Sequence, residues 1–521
     1  MTLPDLTLFT FILAAGPILV VLYLMIGRNW GGSKAGMAGW LTAVFISLLF
    51  FGANVPLLLI AAGRAIFLAL FVLYIIWMAL LLYHVVNEAG VIRAIGQEMP
   101  RLATARPAQA LLLAWIFGSF LQGATGFGVP AAVVAPLLVG LGFAADQAVT
   151  MALLGHAWAV TFGSLGSSFL SMIATTGLPG EQLASPAAAM LAIGCLGCGA
   201  GVLWLSDGRS ALRQQGLFLL LITAVMSAVQ WALAVAGLWT LAAFGGGLAG
   251  LIVAIVHFTR RGSQANGSQP RMNLSKLLWA FLPYGILIVV VVLGQLVIGP
   301  ILDAVIIAPS LPATETRFGW QMPAGPVRSI SLFGHAGALL LYTSLLAFGW
   351  YTWRGPLDTA VGPYSGRTIW QKTLKGSIKP TIGIYSLVAM ALTMQHAGMT
   401  QLLAEALSAN TGPIFPLLSP FIGALGAFMT GSNTNSNVVF GQLQQQTATA
   451  LAISVPLILA AQTAGGAIGS LFAPAKVIVG CSTVSGSDEG RVLRLATLYG
   501  LAIVLIVGLV TLGIVWLAPA S

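Results

Sequence analysis

Apolar runs long enough to cross a bilayer recur from one end of this sequence to the other, and that recurrence leaves few folds open. One crossing takes about 20 apolar residues. Such runs lie near 5–27, 37–55, 64–87, 146–175, 186–206, 215–236, 238–259, 277–299, 330–352, 379–397, 447–479 and 493–517. The sequence therefore predicts an all-α polytopic membrane protein with about 12 transmembrane helices. Charged residues make up 7% of the 521 residues and mean hydropathy is +0.97. Soluble domains carry about a quarter charged residues, so no sizeable soluble domain is expected. The first run lacks a basic n-region and a small-residue cleavage site, and is expected to remain as a span.

Charge predicts the orientation. Loops 28–36, 88–106, 207–213, 260–276, 353–378 and 486–494, with their flanks, hold most of the Lys and Arg, while the alternate loops keep Arg317 and Arg328. Basic loops stay cytoplasmic, which places both termini outside. The net charge of +10 follows from the same bias and gives no reason to expect a nucleic-acid partner.

Two further stretches, 107–143 and 411–444, are apolar but broken by Gly, Pro or polar residues. They are expected to be re-entrant hairpins, the first entering from the cytoplasm and the second from outside. In the second, Ser432 to Asn437 sets six small polar residues in an otherwise lipid-compatible run. Free backbone groups at membrane depth are tolerated only where protein buries them or a wet cavity meets them. Gly118, Phe120 and Gly123 recur as Gly426, Phe428 and Gly431, 308 residues on, and Gly163-Ser164-Leu165 recurs 306 residues on at Gly469. The expected organisation is one membrane unit with a first repeat over 1–259, a linker over 260–276 and an inverted second repeat over 277–521, as in many secondary carriers.

The candidate site follows from these breaks. Gln122, Gly123, Thr125, Gly126 and Gly128 form a tight first turn, with Pro130 opening the return helix; close helix packing is the other use for such glycines. Thr430, Ser432, Asn433, Thr434, Asn435, Ser436 and Asn437 offer hydroxyls and amides to a small organic anion, and half-helix N-termini add free N–H groups. Polar side chains that join helices are the alternative. After each hairpin comes a span with its own break, at 163–168 and 465–474, and with it His156 and Lys476. A lone charge at mid-bilayer costs about 2.5–3.5 kcal/mol on insertion scales, so Lys476 must find a polar partner, attract the anion or reach the interface. His156 is a candidate proton relay or a structural histidine. Cys195 and Cys198 have a C-x-x-C spacing without a second pair, which reads as packing. No metal site, cofactor or catalytic constellation is expected.

The stretches 118–130, 136–143, 428–444 and 465–494, in this order, resemble the signature blocks of the lactate permease family, and length and span pattern agree over nearly the whole chain. The resemblance implies a carrier for a 2-hydroxymonocarboxylate such as L-lactate or glycolate, working by proton symport in a bacterial inner membrane. It also resembles the wider ion transporter superfamily, which implies elevator motion and, by analogy, a homodimer. In familiar lactate permeases the positions of Gln122, Asn433 and Ser470 are commonly Glu, Asp and Lys, and the position of Lys476 is often neutral. Coupling through those carboxylates therefore does not carry over. A different small organic anion, sodium coupling, and a membrane sensor that binds without transport are the alternatives.

Overall fold

The structure, a computed structural model, describes residues 3–28, 30–126, 128–262, 274–358 and 363–517. Most of the linker expected over 260–276 lies outside the described residues, as do residues 359–362. The fold is helical, and many of its large apolar side chains, such as Leu59, Leu217, Leu278 and Leu498, point outward. Water would not accept that perimeter; lipid does.

Among the described residues, ten helices are long and apolar enough to cross a membrane, or eleven if the bent pair Ala145–Val160 and Gly163–Thr176 counts as one span. The sequence reading expected twelve. The ten include Met399–Thr430, which contains the first arm of the second hairpin, omit Ala336–Arg354, and take as one the 56-residue stretch Gly180–Val235, which is kinked into two helices at Asp207 and Gly208 as the runs 186–206 and 215–236 predict. At about 1.5 Å per residue it is long enough for two crossings.

The helices form two packed groups. In one, Gly366–His396 lies against both Gly32–Phe50 and Val55–Glu88, and Ala336–Arg354 packs on Val55–Glu88 and Leu274–Val292. The other group holds both interrupted hairpins, the broken spans that follow them, Gly180–Val235, Ala242–Gly262 and Glu489–Leu517. Small residues bring backbones into contact here, as lipid-embedded packing requires. Gly465 and Gly469 lie on the backbone of Pro420 and Ala424, and Gly155 lies on that of Ala114.

Both hairpins turn back toward the face they start from. The first runs from Arg106–Ala110 through a π-helical stretch and Gly118–Ala124, then returns as Val129–Gly140. Its ends meet, since Arg106 donates to the Gly142 carbonyl and covers the Phe143 ring. The second consists of Phe415–Thr430 and Asn433–Ala450, with Phe415 packed on Ala448.

Ion pairs mark one face of the molecule. Arg93 meets Asp358, Lys372 meets Glu88 at 2.7 Å, and Arg491 meets Asp146, joining loops distant in sequence. The opposite face carries an element the sequence reading did not foresee. Residues 306–331 form an antiparallel hairpin, paired at Ile306 with Ser331, Leu311 with Gly325, and Glu315 with Gln321. It lies across the first helix group as a strap: Arg317 N–H donates to the Gly52 carbonyl, Arg64 to the Pro323 carbonyl, and Trp320 Nε1 to the Gln395 carbonyl.

Candidate functional site

The first turn is made by backbone conformation. Gly126 and Gly128 have φ of +69° and +84°, and Pro130 sits at the start of the return helix. Thr125 spends its hydroxyl on the Leu121 carbonyl at 2.7 Å. Gln122 is buried against Gly163, and its Oε1 has no partner. Gly123 lies on the Phe244 backbone and is a packing glycine, the alternative use weighed above.

Gly126 rests against Ser164, in the break of the following span. There Ser164, Leu165 and Gly166 all take left-handed backbone angles, two of them with side chains. Such angles cost energy and persist only where the surroundings impose them.

The second turn is shorter than the six polar residues suggested. Gly431 ends the first arm with φ of +69°, Ser432 caps the next helix, and Asn433 to Asn437 are already helical. The polar run is therefore the first turn of the return helix. Asn433 Nδ2 donates to the Thr161 and Thr463 hydroxyls at 3.1 and 3.3 Å. Asn437 Nδ2 donates to the Ser168 carbonyl and the Thr463 hydroxyl, both at 2.9 Å. Thr434 and Ser168 share a 3.0 Å hydroxyl bond, and Ser436 donates to the Gly423 carbonyl. Behind them Gln462 donates to Ser436 and accepts from Gln444. Thr430 bonds back to the Gly426 carbonyl.

Most of these side chains thus fasten the second turn to the two broken spans. The Oδ1 atoms of Asn433, Asn435 and Asn437 are nevertheless buried with no hydrogen-bond partner. Asn433 Oδ1 lies against Gly466, where a side chain would displace it.

No hydrogen bond joins the two turns directly among the described residues. What they share is Pro474–Ser482, the short helix after the second break: Gly431 borders Ala475 and Gly128 borders Val479. Lys476 lies between those two contacts, and its Nζ donates to the Ser470 hydroxyl at 2.8 Å. No carboxylate pairs with it among the described residues. His156 is buried beside Gly118, one helical turn before Gln122. Its Nδ1 lies 2.6 Å from the Ala152 carbonyl. A carbonyl only accepts, so Nδ1 carries the proton and Nε2, which has no partner, is left with a free lone pair.

A family model described as L-lactate permease matches residues 10–518. The chain belongs to the L-lactate permease family. Three relatives show how even the likeness is. Glycolate permease GlcA of Escherichia coli (strain K12) is 26% identical, with 92% of this chain and 91% of the relative covered. The L-lactate permease of the same strain is also 26% identical, over 96% and 95%. So is that of Bacillus subtilis (strain 168), over 97% and 95%. Equal identity to permeases named for two different acids leaves the choice of acid to the site itself.

Within this lactate-permease-family protein, the sequence reading missed Thr161, Thr463, Ser168, Gln462 and Gln444, which hold the second turn in place. They lie in spans alone or in short polar runs, as Thr161 does alone and Gln462 beside Thr463, and only the fold reveals their partners, up to 272 positions away for Asn433 and Thr161.

Proposed function

We propose that this protein is a secondary carrier that moves a small 2-hydroxymonocarboxylate, such as L-lactate or glycolate, across a bacterial inner membrane with a proton. Lys476 carries this reading: it is a cation held by a hydroxyl, with no acidic partner among the described residues, in the helix that borders both turns. A substrate carboxylate supplies the missing counter-charge. The two hairpins, entering from opposite faces in inverted repeats, give that carboxylate a path from either side. Ser432 and Asn435, the least committed polar groups of the second turn, are suited to the acid's oxygens, whereas the Thr430 hydroxyl is already given to backbone carbonyls. The relatives' names agree with a small organic acid as cargo.

For the proton, His156 Nε2 is a buried ring nitrogen with a vacant lone pair, next to the arm that leads into the first turn. One proton moving with one monovalent anion carries no net charge. Transport then follows the pH gradient and not the membrane potential, which would act with about 2.3 kcal/mol per charge at 100 mV.

The test is uptake of labelled L-lactate and glycolate into proteoliposomes that are acidic outside, in sodium and in sodium-free buffer. Gradient-driven accumulation without sodium is expected. Absence of uptake for every 2-hydroxy acid offered, or strict dependence on sodium, rejects the reading.

A further inference from the structure

Away from the turns, a polar crevice of about 340 Å³ opens where the Asn433–Ala450 helix ends, lined by Thr176, Gln401, Gln442, Gln445, Gln446 and Thr449. It is on the strap's side of the molecule, because Gln401 lies three residues after Gly398, which Trp320 of the strap covers. Under the positive-inside rule that side is the exterior. We propose that this crevice is an outer waiting site for a 2-hydroxy acid, occupied before the acid reaches the turns. The ligand class rests on the reading under Proposed function.

The lining decides the chemistry. Gln442 is held at both ends of its amide, donating one N–H to the Thr175 carbonyl at 2.7 Å and accepting from Gln395 at 3.0 Å, which leaves its second N–H. Gln401 gives one N–H to Glu405. Gln446 Oε1 is buried without a partner, and so is the hydroxyl of Thr175 behind Gln442. Gln445 has both halves of its amide available. The crevice therefore combines N–H donors for a carboxylate with one buried acceptor, Gln446 Oε1, that requires a donor. A bare monocarboxylate has no donor to give; a 2-hydroxy acid brings one in its hydroxyl. A site with buried acceptors discriminates against the analogue that lacks the matching OH.

Geometry links the crevice to the turn. Asn435, Gln442, Gln446 and Thr449 are spaced by seven, four and three residues, and so lie on one face of the same helix. Asn435 to Gln446 spans about 16 Å along it at 1.5 Å per residue. The face runs from the crevice, past Val438 and Val439, to the unpartnered Oδ1 of Asn435.

The experiment replaces the buried Cys195, Cys198 and Cys481 and introduces Thr449→Cys at the exposed rim of the crevice, or Ala450→Cys beside it if the first does not fold. Labelling by a membrane-impermeant maleimide is timed in intact vesicles with glycolate, L-lactate or propionate present. Glycolate and L-lactate are expected to slow labelling several-fold and propionate not, with the protection retained in a Lys476→Met background. Protection lost in that background would mean that the label reports the central site, and would overturn the proposal. So would labelling indifferent to the hydroxy acids, or equal protection by propionate. Protection in a protein that transports none of these acids would sink the carrier reading and leave the crevice standing.

Discussion

Lys476 Nζ and Ser470 Oγ are 2.8 Å apart, so the hydroxyl that holds this cation comes from the first residue of the break at 470–473. The bond fixes where the charge sits relative to both turns. Ser470→Ala keeps the ammonium but releases it. A hydrogen bond to a charged group contributes about 1.5–3 kcal/mol, so KM for uptake is expected to rise about tenfold or more with the protein still folded, and Ser470→Thr to stay close to wild type.

Gly466 and Asn433 make a second test. Because Asn433 Oδ1 lies against the Gly466 backbone, Gly466→Ala pushes the amide away from Thr161 and Thr463. Two hydrogen bonds at about 0.5–1.5 kcal/mol each are lost. Uptake should fall and thermal unfolding in detergent should shift down, with Asn433→Ala similar and the double variant little worse than either.

The first turn is held in the same manner. Gly126→Ala meets both a φ of +69° and the Ser164 side chain. The left-handed angle alone costs about 1–2 kcal/mol. Ser164→Gly relieves the contact and suits its own φ of +48°. The double variant is expected to transport better than Gly126→Ala alone, and a double-mutant cycle reads the coupling.

At the basic face, Glu88 is 7% exposed while its partner Lys372 is 47% exposed. Removing the lysine strands a buried carboxylate; removing the carboxylate frees an ammonium that water can solvate. Lys372→Met should therefore lower thermal stability more than Glu88→Gln, by about 1–2 kcal/mol once the exposure of the lysine is allowed for. The pair Glu88→Gln with Lys372→Met should recover most of that loss.

Much of this architecture could be read from apolar runs and their interruptions. Residues 107–143 and 411–444 do fold as hairpins, because Gly-Pro and Ser-Asn breaks leave the backbone nowhere else to go in lipid. The strap at 306–331 could not be read, since its strand pairs are two residues long and its hold comes from Gly52, Arg64 and Gln395. The role of Asn433 and Asn437 could not be read either. Their polarity suggested ligand groups, yet their NH₂ atoms are bound to Thr161, Thr463 and Ser168. Periodicity shows which face of a helix is polar, but not which helix 30 or 270 residues away will meet it.

The most direct measurement compares wild type with Lys476→Met in proteoliposomes under an imposed pH gradient, with labelled glycolate and L-lactate. Wild type is expected to accumulate the acid above its outside concentration, and Lys476→Met to lose that accumulation while keeping its melting temperature. Accumulation by Lys476→Met at the wild-type rate would contradict the assignment of this lysine as the partner of the substrate's carboxylate.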